Sequence, residues 1–152
     1  MAKATPIADP AAARDTALRL LGRREHSALE LRHKLGLRGF TAASIDAVIT
    51  QLGAEDLLNE ARYAEVYAHT RADKGYGPLR IQRELRERGV ASEDIAVALA
   101  DLDDFWPRKL ADIRRKRFAN AHKDASARLQ QTRFLRQRGF TLEQINRLFR
   151  DS

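Results

Sequence analysis

Residues 74–90 read KGYGPLRIQRELRERGV. Gly75 and Gly77 loosen the backbone, and Pro78 stands where a proline best begins a helix, its missing N–H being one that has no partner there anyway. Ile81 and Leu85 fall four apart on one helical face, with Arg80, Arg83, Glu84, Arg86, Glu87 and Arg88 around the others. Gly89 ends the helix as a left-handed cap. The end of this stretch recurs. Arg38-Gly39-Phe40, Arg88-Gly89-Val90 and Arg138-Gly139-Phe140 are spaced by 50 residues. The same offset aligns Leu35, Leu85 and Leu135 before the glycine and Ile45, Ile95 and Ile145 after it. Only 8 of 152 residues are glycine, so three in one register with shared neighbours mark a triplicated chain.

Outward from that repeat, composition restricts the fold class. Charged residues make up 32% and aromatics 7%, and the apolar share is rich in Ala and Leu, which suits helices with thin cores. There is no cysteine, hence no disulfide framework and no thiolate chemistry. The first residues, MAKATPIADPAAAR, hold no continuous apolar segment, and no run of 18 apolar residues occurs, so neither secretion nor membrane spanning is expected. The net charge of +7 is unevenly shared: +2 over residues 1–55, −4 over 56–105 and +9 over 106–152. A basic end beside an acidic middle fits either a surface for a polyanion or acidic protein, or well-solvated Arg-rich helices.

Taken in order, residues 1–12 read as a disordered tail, with Pro6, Pro10 and an alanine run. A helix is predicted from Arg14 to about Glu25. Ser27 and Glu30 form a capping-box pattern opening a second helix to about Leu37, and Thr41 caps a third carrying Ile45, Val48, Ile49 and Leu52. Asn59 caps the next helix, Ser92 the one after residues 78–88, and Pro107 begins another. The helix from about Ser126 to Arg138 is the least regular copy, because Arg128 and Gln131 stand where Ala28 and Leu31 do. Thr141 and Gln144 form a second capping box.

No segment alternates with period two, so the chain is predicted to be all-α. The expected division is the tail over 1–12, then three-helix repeats over 13–55, 56–104 and 105–152. Modules of this size do not bury enough to stand alone, so they must pack on one another. Stacked in tandem they make an elongated, curved array. A compact globule of nine helices is the other arrangement open to the sequence.

Chemistry-bearing patterns are sparse. His26, His33, His69 and His122 are dispersed, and each reads as an ordinary surface histidine; no metal set is completed. Gly75-Tyr76-Gly77-Pro78 follows a helix and lacks the Gly-Lys-Ser/Thr ending of a phosphate loop. No Ser or Thr has partners spaced as a triad. No catalytic residue, no cofactor and no metal are expected, and the chain does not read as an enzyme. Tyr63 and Tyr67, four apart, read as packing between helices, and Trp106 beside Pro107 as a wedge between the second and third modules.

The run Arg62-Tyr63-Ala64, Arg71, Lys74 to Pro78, Arg80-Ile81, Glu84-Leu85 and Gly89-Val90 closely resembles the RecX family of recombination regulators. Upstream, Arg24 to Ser27, Glu30-Leu31 and Lys34-Leu35 look like the family's first module. Downstream, Phe134-Leu135 and Arg138 to Phe140 look like its third. The likeness covers about residues 14–150, and its central motif is the specific part. The resemblance implies a cytoplasmic bacterial protein of tandem three-helix repeats, acting in recombination and DNA repair. It implies binding in the groove of the RecA recombinase filament, restraint of its ATP hydrolysis, strand exchange and co-protease function, and some affinity for DNA.

The expected mechanism is steric and electrostatic, by a monomer. Candidate contacts to recombinase or DNA are Arg71, Lys74, Tyr76, Arg80 and Arg83 in the second module, and Arg114, Arg115, Arg117, Arg133 and Arg136 in the third. The alternative is a stand-alone DNA-binding protein, since short helices joined at glycine turns can adopt helix-turn-helix geometry.

Overall fold

A computed structural model describes residues 5–119 and 124–151. Among them the chain is all-α, with nine helices: α1 (Pro10–Arg23), α2 (Ala28–Leu37), α3 (Ala42–Ala54), α4 (Glu60–Asp73), α5 (Pro78–Glu87), α6 (Ser92–Ala100), α7 (Phe105–Arg117), α8 (Ala125–Gln137) and α9 (Leu142–Arg150). The predicted glycine caps are where the register puts them. Gly39, Gly89 and Gly139 have φ of 89°, 79° and 101°, and each follows the central helix of its repeat. The chain separates into two compact units, one of residues up to Tyr63 with Arg88–Val90, the other of 64–87 and 91 onward.

In the first unit the core is formed by Ala13, Ala17 and Leu20 of α1, Leu31 and Leu35 of α2, Ile45, Val48 and Leu52 of α3, and Leu58. The expected tail gives way here. Asp9 accepts from Ala12 N–H at 3.0 Å and Pro10 opens α1, so the helix begins four residues before the predicted Arg14 and ends at Arg23. A cap, a first-position proline and three alanines favour a helix more than proline content disfavours it. Just before it, Ile7 donates to Gly39 O at 2.7 Å and accepts from Thr41 N–H at 2.9 Å, binding this segment to the first glycine turn. Residues 1–4 of the expected tail lie outside the described residues.

The first capping box is half made. Ser27 Oγ accepts from Glu30 N–H at 3.1 Å, but the Glu30 carboxylate pairs with Arg24, its Oε2 2.6 Å from Nη2. Glu60 instead accepts from the Ala28 N–H at 2.8 Å. His26 is not a surface residue: it is 1% exposed, with Nδ1 3.0 Å from Arg24 O and Nε2 2.9 Å from Lys34 Nζ. Donation from Nδ1 and acceptance at Nε2 describe a neutral ring. Burial pushes its pKa down, the more so beside Arg24 and Lys34. His122 lies outside the described residues.

In the second unit Ala64, Ala68 and Ala72 are fully buried along one face of α4, letting backbones approach closely. Ile81, Leu85, Ile95, Leu102, Leu110, Leu135 and Ile145 fill the interior. Trp106 is buried edge-on to Phe140, centroids 5.8 Å apart. Two predicted helix starts differ. Ala91, not Ser92, occupies the α6 cap and supplies no side-chain bond; α7 begins at Phe105, with Pro107 inside its first turn. Thr141 and Gln144 make the full capping box.

The turn before α5 rests on the turn after α8. Gly77 donates to Arg138 O at 2.7 Å and Leu79 to Gly139 O at 2.9 Å. A Cβ on Gly77 would lie 2.5 Å from Gly139 C and Phe140 N. The two glycines of residues 74–78 are therefore needed for different reasons: Gly75 for its φ of 93°, Gly77 for close approach.

Candidate partner-binding surface

That docked turn holds Tyr76, and arginines from three elements gather on its ring. The guanidinium carbon of Arg71 lies 3.9 Å from the ring centroid, that of Arg80 4.4 Å and that of Arg138 5.0 Å. Glu84 organises two of them. It accepts from Tyr67 Oη at 2.7 Å and from Arg71 Nη2 at 2.9 Å, and Arg80 Nε lies 3.5 Å away. Burial would raise the Glu84 pKa, but the bonds from Tyr67 and Arg71 outweigh it and hold the carboxyl below the usual range. Burial likewise opposes charge on Arg71, and Glu84 reverses this, keeping the guanidinium firmly cationic.

The stack continues away from Tyr76. Arg138 also lies 5.1 Å from the Phe134 centroid, and Arg117 4.0 Å from it. Phe118 meets Phe134 edge-on at 5.6 Å. Beside Phe134 is a small cleft of about 220 Å³, bordered by Lys74, Lys109, Lys116, Arg117 and Arg138, with Asp112 as its one carboxylate. Lys116 lies 3.2 Å from Asp112, whose pKa that bond lowers. Lys109 donates to Asp73 O at 2.6 Å. Guanidinium groups held over aromatic rings lose little further freedom on meeting an anion, so this surface has the chemistry to accept phosphate or carboxylate groups.

Of the residues proposed from sequence, Arg71, Tyr76 and Arg80 come together around one ring, and Lys74 and Arg117 border the cationic cleft. Arg114 and Arg115 line a different and larger cleft of the same unit, and Arg115 also reaches Asp112 of the small cleft at 2.5 Å. Arg83, Arg133 and Arg136 are exposed and border neither cleft. Sequence reasoning passes over Glu84, Lys109, Phe134 and Arg138. Arg138 carries a signal, since it belongs to the Arg-Gly register, but that register reads first as helix punctuation.

Glu65, His69 and Asp101 bring donor atoms within 4.8 Å of one another, a grouping hidden in the sequence by the 32 residues between His69 and Asp101. All three are exposed, and His69 Nε2 lies 3.0 Å from Asp101 Oδ2, so an ordinary surface hydrogen bond accounts for the arrangement. Among the described residues no helix is long and apolar enough to cross a membrane.

Comparison with known proteins agrees with this architecture. Residues 13–52 match the family model described as RecX, first three-helix domain, and residues 59–99 that of RecX, second three-helix domain. A protein of Pseudomonas putida named regulatory protein RecX is 44% identical over 140 residues, covering 91% of this chain and 90% of the relative. One of the same name from Halorhodospira halophila is 44% identical over 135 residues, covering 88% and 84%. The crystal structure of RecX from Lactobacillus salivarius superposes with a TM-score of 0.81 at 22% identity, over 93% of this chain and 95% of that one. A second crystal structure, of regulatory protein RecX, gives 0.76 at 21%, over 94% and 72%.

Proposed function

Because the chain belongs to the RecX family of regulatory proteins, we propose that it binds the RecA recombinase filament and restrains it, without chemistry of its own. On this reading it acts in the cytoplasm as a monomer of three three-helix repeats, over 13–55, 56–104 and 105–152. Bound to the filament, it lowers ATP hydrolysis, strand exchange and co-protease function in recombination and repair. The observation that carries the reading is the cationic surface around Tyr76 and Phe134. In its cleft Lys74, Lys109, Lys116, Arg117 and Arg138 meet a single carboxylate, Asp112. Such a surface attracts acidic protein surface or filament-bound DNA, and a bound body then obstructs filament growth or the entry of a second strand.

Recombinase ATP hydrolysis on single-stranded DNA tests this, with the protein sub-stoichiometric to DNA sites. Inhibition is expected there, and Lys74→Glu with Arg117→Glu should weaken it at least tenfold while leaving the helical circular-dichroism signal intact, since both side chains are exposed. Inhibition only when the protein saturates the DNA would refute the reading. It would favour a stand-alone DNA-binding protein, for which the same cationic cleft would take backbone phosphates. That reading requires binding to naked DNA with a steep salt dependence in the absence of recombinase.

A further inference from the structure

The third helix triplet, α7–α9, encloses less of itself than the first. In the 50-residue register Leu31, Ile81 and Gln131 are equivalent, and the first two are fully buried apolar side chains. Gln131 keeps the burial, at 5% exposure, but its Oε1 has no hydrogen-bond partner among the described residues. A buried amide oxygen left unpaired destabilises a fold, so an apolar residue would be the more stable choice there. One helical turn earlier, Arg128 takes the place of Ala28 and is exposed.

A cleft of about 1370 Å³ lies between α7, α8 and α9, and both Arg128 and Gln131 line it. Its apolar lining includes Phe118, Leu148 and Phe149 beside the buried Trp106 and Leu110. Arg128 and Arg114 both lie over the Phe149 ring, at 4.6 and 5.2 Å, and neither forms an ion pair among the described residues. Carboxylates border the cleft too: Asp103 and Asp104 immediately precede α7 and Glu143 is in the first turn of α9, near the positive ends of those helices, and Asp151 follows α9; on the basic side Arg108, Arg115 and Arg147 join Arg114 and Arg128. Arg128 has the opposite placing, in the first turn of α8, where a cation is disfavoured. Its side chain lies on the Phe149 ring instead.

We infer that this cleft is a docking site for an acidic amphipathic helix of the partner protein. The helix would lay apolar side chains along α7 and α9, place a donor on Gln131 Oε1, and direct carboxylates to Arg114 and Arg128. At about 1370 Å³ the cleft suits a helical segment better than a metabolite, whose pockets are smaller and more closed. Of the three aromatic rings lining the cleft, Phe149 is covered by the arginines, Phe118 packs edge-on against Phe134 and Trp106 is buried, which favours protein over nucleic acid. The identity of the partner as the recombinase rests on the function proposed above.

Labelled 15-residue peptides tiling the recombinase sequence, and a labelled single-stranded oligonucleotide, are titrated with the full chain and read by anisotropy. Peptides with apolar residues at helical spacing and flanking Asp or Glu should bind, and Arg114→Ala with Arg128→Ala should weaken them at least tenfold. Gln131→Leu should raise the melting temperature and weaken the same peptides, a pairing that a purely structural residue would not give. If the filament is inhibited but no peptide binds, or if the arginine variants bind peptides as the parent does, the docking site is refuted and the proposed function stands. If the oligonucleotide displaces the peptides and itself depends on Arg114 and Arg128, the cleft belongs to nucleic acid and the inference fails. If the filament is not inhibited either, both readings fall.

Discussion

Gly77→Ala should be far more damaging than its chemistry suggests. In an ordinary extended or helical position this exchange stabilises by about 0.4–1 kcal/mol through the unfolded chain. Gly77 has no positive φ, so backbone strain gives no reason to expect otherwise. The added methyl, however, would meet Gly139 C and Phe140 N at 2.5 Å and Gly139 O at 2.6 Å, all backbone atoms that no rotamer change can move. The turns must separate, stretching the bonds from Gly77 N–H to Arg138 O and from Leu79 N–H to Gly139 O. Each backbone bond lost with its donor left in a buried position costs about 1–3 kcal/mol. The expected loss is about 2–4 kcal/mol, several degrees in melting temperature for a chain of this length. Urea unfolding followed by circular dichroism measures it, with Gly22→Ala as the internal standard. Gly22 lies within α1, and a methyl group added there would have nothing within 4 Å, so that variant should gain up to about 1 kcal/mol. Equal stabilities for the two variants would refute the docking of the turns.

Gly89→Val combines a φ of 79° with a Cβ 3.3 Å from Leu29 Cβ, and should cost roughly 1 kcal/mol or more; an unchanged urea midpoint would contradict the left-handed cap. His26 is held neutral with its pKa lowered, so the stability tied to it is complete above the unfolded value of about 6.5 and declines as pH falls below it. Melting curves at pH 7.5 and 5.5 should therefore differ less in His26→Gln than in the parent, and an identical difference would show that His26 does not titrate with unfolding. The lowered pKa of Glu84 places its contribution above the ordinary glutamate range, to be lost as pH falls through its folded value. Glu84→Ala, which removes the carboxylate bonded to Arg71 and Tyr67, should destabilise by about 1–3 kcal/mol, the pair being only partly shielded from water, and Glu84→Gln by less. Equal effects of the two would mean that the carboxylate's charge, and not its hydrogen bonding, holds the cluster.

The all-α class and the ends of most helices are legible in the sequence because they depend on local spacing: a glycine at φ near 90° after each central helix, Ser27, Thr41 and Asn59 as caps, and apolar residues three and four apart. A helix start governed by two opposed local signals is misread, as at Asp9-Pro10, where proline content points to a tail and the cap to a helix. The site is legible as a set of basic residues around residues 71–83 and 114–136, because charge is written in the chain whatever the fold. Which of them act together follows only from how the chain packs. Tyr76 receives Arg138 from 62 residues away because two glycine turns dock through their backbones, and no side-chain pattern records a contact between main chains. Gln131 reads in the sequence as an irregular copy of a leucine. It becomes the marker of an open cleft once its burial and its unpaired oxygen are seen together, since both depend on what surrounds a residue and not on what it is.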